Sequence, residues 1–264
     1  MERSPSSEQK KHPIAVVLSG GGLRGIAHLG VLKSLEEHGI RPSCMAGTSA
    51  GAIISVLYAA GYSPDFLLET VKGHDFFTKA DLRLNHNGIF SQKFLVRLFE
   101  QLLPENDFSA LSIPVYVAAT EIRQGQIEYF YEGAIYPALL ASSCIPFLFA
   151  PYHMGEKIYL DGGILNNLPI EPVQHQSQYI IGVHVNAIDQ SYQEKYSLRQ
   201  MADRVFHLSI SHPVYAKAIH CDLFIDPPNM TRFGVMSKKD AEEIFYFAYE
   251  YTSEQLKKYP KPFI

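Results

Sequence analysis

The chain is 264 residues long with 47% hydrophobic positions, enough to bury one full core, and it shows no linker-like stretch at which a single domain would divide. Its 23 basic and 27 acidic side chains leave a net charge of −4 and no Arg/Lys stripe, so nothing in the charge pattern calls for a nucleic-acid partner. Three widely spaced cysteines, Cys44, Cys144 and Cys221, suit buried thiols in a reducing compartment better than a disulfide framework. No apolar run reaches the roughly 18 residues of a spanning helix. The first dozen residues are polar, without the apolar core of an export signal, so a cytoplasmic protein is expected, peripheral at most at the inner membrane surface.

Met1 to His12 reads as a disordered tail, and residues 13–264 as one domain. Ile14 to Leu18 is an uninterrupted apolar run of strand length, the pattern of a buried parallel strand. Ser19 to Gly25 is a glycine loop, after which Ile26, Leu29, Leu32 and Leu35 form an apolar helical stripe that stops at His38-Gly39. Ser43 to Ala46 is the next short strand, followed by Gly47-Thr48-Ser49-Ala50-Gly51 and a helix-forming run. This opening predicts an α/β fold of three layers, α/β/α, with a mostly parallel sheet. Ser63 and Pro64 start another helix, His74 to Gly88 is irregular, and Phe94 to Leu103 lie on an amphipathic helix beginning at Ser91. Pro114 to Thr120 is a strand that returns through Gln124-Gly125 into Ile127–Tyr131 as a marginal hairpin. Later strands are expected at 180–185 and 221–225, with helices at 198–208 and 238–258.

The Gly-x-Ser-x-Gly pattern draws its weight from its place between a strand and a helix, where Ser49 would stand exposed on a sharp turn. Gly47 and Gly51 remove side chains that would crowd it, with Thr48 and Ala50 as the intervening residues. Gly20-Gly21-Gly22-Leu23-Arg24-Gly25 also satisfies Gly-x-Gly-x-x-Gly. The second strand, however, ends in Ala46-Gly47 rather than an acidic ribose ligand, and Ile26-Ala27 stand where a P-loop needs Lys and Ser/Thr. Bare amides at a helix start remain, which suit a developing oxyanion or a mere tight turn. Arg24 either shapes this nest or is a solvated loop charge. None of the eleven histidines is marked by glycine, strand end or spacing. Asp161 differs, because Lys157–Leu160 lead into it and Gly162 and Gly163 follow, either as an Asp-Gly turn or as a carboxylate set at a strand end for close approach.

Together these residues resemble the bacterial patatin-like phospholipase family. Gly20, Gly21, Gly22, Arg24 and Gly25 fall on its oxyanion motif, Gly47 to Gly51 on its nucleophile elbow, and Asp161-Gly162-Gly163 on its Asp-Gly-Gly/Ala motif. Ala141 to Phe149 resembles the block before the aspartate, with Cys144 where a small residue is usual, and Asn167-x-Pro169 its sequel. The resemblance spans roughly Ile14 to Val173 and leaves the rest of the chain uncovered. It implies a Ser49–Asp161 dyad without histidine, acting on acyl esters of phospholipids or lysophospholipids, with no cofactor and no metal. Two other chemistries share these features: an ordinary α/β-hydrolase with Asp161 as acid and a late histidine such as His212 as base, and an acyltransferase using the same acyl-enzyme. A non-enzymatic scaffold fits poorly with both Ser49 and Asp161 present. Only transient membrane-surface contact is expected, through loops near the mouth of the site. The helix from Ser91 to Leu103 is a second candidate for that contact, although its apolar face is equally what a sheet-covering helix needs.

Overall fold

The apolar runs become the centre of a mixed sheet. The computed structural model describes residues 12–73, 82–85, 88–188, 196–233 and 239–258. Strand β1 (His12–Leu18) lies between β2 (Cys44–Thr48) and β9 (Ser177–Val183). β5 (Val115–Glu121) extends the sheet beyond β2, and β10 (Leu223–Ile225) extends it beyond β9; these five strands are parallel. Antiparallel strands β6 (Gln126–Phe130), β7 (Tyr152–Met154) and β8 (Lys157–Asp161) complete the far side. The expected tail 1–12 lies outside the described residues except for His12, which already belongs to β1. Within the stretch read as irregular, β3 (Leu82–Asn85) pairs with β4 (Gly88–Phe90) as a separate antiparallel ladder, and residues 74–81 and 86–87 lie outside the described residues.

Strand periodicity divides the core between two faces. Ile14, Val16 and Leu18 of β1 face a thick layer built from α1 (Ile26–Glu37), α2 (Ala50–Ala59), α3 (Pro64–Gly73), α4 (Lys93–Leu102), α5 (Ile135–Ser142) and α8 (Ala241–Lys258). The alternate residues Ala15 and Val17 face a thinner layer with Val173 of α6 (Glu171–Gln174) and Val214 of α7 (Leu198–Ala218). The arrangement is the three-layer α/β/α sandwich that the sequence predicts. Burying a side chain such as Leu18, Leu29 or Phe99 contributes about 1.5–3 kcal/mol each.

Two helices differ from expectation. The helix read over 198–208 continues to Ala218 through Pro213, whose missing N–H costs a helical hydrogen bond, while Val214 packs the second half on the sheet. α5 has a short run with Pro137 near its start and gives little periodic signal, yet Ile135, Ala138 and Leu139 are buried on it.

One edge of β5 organises the site. Val117 and Ala118 pair with both β2 and β6, and Ala119 to Glu121 pair with both β8 and β6. A strand has only two edges, so β2 and β8 share the one opposite β6. β2 runs parallel to β5 and β8 antiparallel, so they approach head-on: Thr48 pairs with Ala118 and Asp161 with Ala119.

Candidate active site

Ser49 follows the last residue of β2 and precedes α2. Its backbone sits at φ +54°, ψ −121°, a region that a side-chain-bearing residue occupies only when its surroundings force it. Three contacts do so: Ser49 N–H donates to Ser142 Oγ at 2.8 Å, Ser142 Oγ–H donates to Ala118 O at 2.6 Å, and Ile53 N–H closes the first helical turn on Ser49 O at 3.0 Å. The two glycines of the pentapeptide are required by space. A Cβ on Gly47 would come 2.5 Å from the Gly51 carbonyl carbon, and one on Gly51 would collide with the Leu18 carbonyl of β1. Thr48 Oγ1–H donates to Asn166 O at 2.8 Å, tying the turn to the loop after Asp161.

Asp161 is fixed from both directions along its strand. Its N–H donates to Cys144 O at 2.9 Å and its carbonyl accepts from Thr120 Oγ1–H at 2.9 Å. Its Oδ1 accepts the Gly163 N–H at 2.8 Å, and the Ser49 side chain lies near enough to the carboxyl to favour its ionised form. A Cβ on Gly162 would strike the Ala118 carbonyl, so that position admits only glycine where β8 meets the end of β2. Burial lifts the Asp161 carboxyl from its ordinary 3.8 to about 6, against the opposing pull of the Ser49 and Gly163 hydrogen bonds.

The glycine loop lies beside the serine, with Gly25 so close that a Cβ there would be 2.6 Å from Ala50 Cβ. Gly20 N–H is already given to Asn167 Oδ1 at 3.0 Å and Arg24 N–H to Gly21 O at 3.2 Å. Of the loop residues read as an oxyanion site, Gly20 and Arg24 therefore hold the loop's shape through their amides. Gly21, extended, and Gly22, at φ +56°, are the donors that remain as candidates. Arg24 is no loose loop charge: Nε–H donates to Phe233 O at 2.9 Å and Nη1–H to Asn186 Oδ1 at 3.1 Å.

Ser49, Asp161 and the glycine loop open onto one cavity of about 1080 Å³, walled by Leu29, Ile53, Leu57, Leu67, Phe94, Leu98 and Leu102 on its apolar side. That volume lies at the upper end of small-molecule sites and suits a long apolar group. The apolar face of α4, a candidate for membrane contact on sequence grounds, is spent on the core, with Leu95, Leu98, Phe99 and Leu102 buried.

Among the described residues no histidine is hydrogen-bonded to Ser49 or Asp161. His212 is exposed on α7. His184 is buried with Nδ1 at 3.0 Å from Asp226 Oδ1, and His28 Nε2–H donates to Ser19 O at 2.8 Å, its burial pushing the imidazole down to about 4. His207 lines the cavity but gives Nε2–H to Asn186 O at 2.8 Å. Among the described residues no group of three or more His, Cys, Asp or Glu is arranged to hold a metal.

The profile of the family described as patatin-like phospholipase matches residues 16–173, from within β1 into α6, behind Asp161. The chain belongs to this family. An uncharacterised NTE family protein of Mycobacterium tuberculosis is 30% identical over 162 residues, 61% of this chain and 45% of its own length. The lysophospholipase nte1 of Emericella nidulans is 26% identical over 296 residues, 93% of this chain but 18% of its own length. The chain thus spans under half the length of these relatives. Among solved structures, VipD from Legionella pneumophila superposes with a TM-score of 0.53 at 16% identity, covering 94% of this chain and 67% of its own, a likeness of fold.

Several residues that shape this patatin-like site carry no sequence signal as site residues. Asn186 joins the glycine loop to the far end of the sheet, giving Nδ2–H to Gly20 O at 2.7 Å and accepting from Arg24 and His207. It lies beyond the family match, in a stretch with no motif. Ser142 and Asn167 fall inside recognisable blocks, but only the folded chain brings them against Ser49 and Gly20. Asn167 Nδ2 and Ser143 Oγ are buried, belong to residues that line the cavity and have no hydrogen-bond partner among the described residues, which suits them to meet a polar group of a bound ligand.

Proposed function

We propose that this chain is a lipid acyl hydrolase that cleaves carboxylic esters of phospholipids or lysophospholipids through a Ser49 acyl-enzyme, with Asp161 as the only proton carrier. The observation that carries the reading is a buried Asp161 whose carboxyl burial lifts to about 6 against the pull of the neighbouring Ser49 side chain, at the wall of a large apolar cavity. A carboxyl near 6 is a stronger base than one near 4 and is still ionised at neutral pH.

In the first half-reaction Asp161 takes the Ser49 hydroxyl proton as Oγ bonds to the acyl carbonyl carbon. The electron pair displaced onto the carbonyl oxygen is met by the Gly21 and Gly22 N–H groups. When the carbonyl re-forms, the ester C–O bond breaks and the leaving alkoxide takes the proton from Asp161. In the second half-reaction water attacks the acyl carbon and gives a proton to Asp161, the Ser49 ester bond breaks, and the proton passes to Ser49 Oγ as the fatty acid leaves. The aspartate is regenerated in each half, so no histidine is needed.

Support for a lipid substrate comes from the family and from the lysophospholipase named among the relatives. A cytoplasmic protein in passing contact with the inner membrane surface belongs to the same reading, and fractionation of cells tests it. The decisive experiment is hydrolysis of a panel of phospholipids, lysophospholipids and short-chain esters by the parent, Ser49→Ala and Asp161→Asn, with organophosphonate labelling alongside. The parent is expected to release free fatty acid. Transfer of the acyl group to an added alcohol in preference to water would make the chain an acyltransferase, and full turnover by Ser49→Ala would end the proposal.

A further inference from the structure

The second face of α7 has no role in the chemistry above, yet it exposes several large apolar side chains. Leu198 is 88% exposed, Met201 46%, Val205 58% and Leu208 38%. Their spacing of three, four and three residues sets them in one stripe along the helix. Gln200, Arg204 and His207, each one position earlier than Met201, Val205 and Leu208, line the cavity. One residue turns an α-helix by about 100°, so the apolar stripe borders the cavity wall on the outer side of the same helix. Phe147, 87% exposed, Ile164, 37%, and Tyr196, 37%, belong to both the cavity lining and the exposed surface, and so mark the mouth. Phe147 is held at φ +67°, where an aromatic residue is rarely found, with its ring turned outward.

We propose that the α7 stripe and Phe147 form a bilayer-docking surface, which seats the mouth of the cavity on the membrane so that an acyl chain enters without crossing water. The proposal rests on the lipid-ester reading and adds to it the face that meets the substrate's source. A bilayer is the occupant that the placement favours. The stripe adjoins the mouth, since Tyr196 precedes Leu198 by two positions and α7 packs beside the Gly162–Ile164 segment; a membrane lipid could enter from there, whereas a protein partner seated there would close the entrance. The stretch from Leu198 to Leu208 carries two arginines and one aspartate, a balance compatible with a lipid surface.

The chain contains no tryptophan, so a single introduced indole reports its own surroundings. Leu198→Trp is expected to shift its emission to the blue when vesicles of phosphatidylcholine and phosphatidylglycerol are added, and to be quenched by brominated acyl chains. Tyr246→Trp, on α8 in the opposite layer, is expected to do neither. Removing three apolar contacts in Leu198→Ser/Met201→Ser/Val205→Ser is expected to lower both vesicle binding and hydrolysis of vesicle phospholipid at least ~10-fold. Hydrolysis of a soluble short-chain ester should stay within about twofold of the parent, because none of the three residues lines the cavity. No emission change at Leu198→Trp, or an equal loss on vesicle and soluble esters, would overturn the proposal. So would light scattering that shows a parental dimer dissociating in the triple variant, which would give the stripe to a second copy of the chain. A parent that cleaves neither ester would refute the hydrolase reading alone, since the emission shift is read without turnover.

Discussion

Replacing Asp161 with asparagine isolates the cost of burying this carboxylate, because the asparagine Oδ1 can still accept the hydrogen bond from Gly163 N–H. The folded protein holds the Asp161 proton up to about pH 6, whereas the unfolded chain releases it near 3.8. Below that lower value both states are protonated and the carboxyl has no effect on stability. Between the two values the unfolded state ionises first and is favoured, and above the upper one the whole difference, about 3 kcal/mol, counts against the native state. His28 works in the opposite sense: its imidazole falls to about 4 in the folded protein, so the stability it contributes is complete above 6.5 and is lost as pH falls toward 4. The parent's own pH profile mixes the two, but the difference between parent and Asp161→Asn cancels His28. At pH 8 the variant is expected to melt about 6 °C above the parent for a chain of this length, and at pH 4 to melt within about 1 °C of it. Calorimetry at matched ionic strength, with urea midpoints at the same pH values, measures both. An offset that is constant from pH 4 to pH 8, or a parent more stable than the variant at pH 8, would refute the claim that burial dominates the carboxyl's behaviour.

Ser49→Gly and Ser49→Ala are both expected to lose ester hydrolysis and phosphonate labelling, yet the glycine variant should be more stable than the alanine variant by about 1–3 kcal/mol, because only glycine relaxes at φ +54°. Equal urea midpoints would show that the turn is unstrained. For the parent, kcat/KM should rise with pH through about 6 and then level if, as proposed, the Asp161 carboxylate is the working base; a rate that falls across that window would contradict the assignment. Ser142→Ala removes both the acceptor for Ser49 N–H and the donor to Ala118 O. A stability loss of about 1–3 kcal/mol with at least ~10-fold slower turnover is expected, and unchanged turnover would free Ser49 from this support. His212→Gln, at an exposed position on α7, should keep the rate within about twofold; a loss as deep as that of Ser49→Ala would restore a conventional triad.

The parts of this architecture legible in the sequence are those written in local terms. β1 and α1 announce themselves by an unbroken apolar run and a three-residue stripe, and Gly47 and Gly51 by the crowding of a strand-to-helix turn. Asp161 stands out because two glycines follow it. The rest depends on contacts between distant segments. Asn186 matters only because β9 lies beside β1, which brings it onto the Gly20 carbonyl 166 positions away. Gly20 could not be told from Gly21 as an amide donor until Asn167 was seen to take its N–H. α4 and α7 illustrate the limit of periodicity: both carry apolar stripes, and nothing in the spacing says that Leu98 and Phe99 are buried while Leu198 and Val205 face solvent.

The head-on meeting of β2 and β8 along one edge of β5 makes the distance between serine and aspartate a matter of ladder register. Deleting or inserting one residue between Tyr159 and Asp161 would turn the carboxylate to the opposite side of the sheet, because side chains alternate along a strand. Nor can the pair drift apart by loop motion, as each partner follows or ends a hydrogen-bonded strand. Activity and sheet integrity should therefore vanish together on heating, without the early loss seen when an active site rests on mobile loops. Under the proposed dyad, control would then act on the approach of substrate, since both partners are held by one ladder.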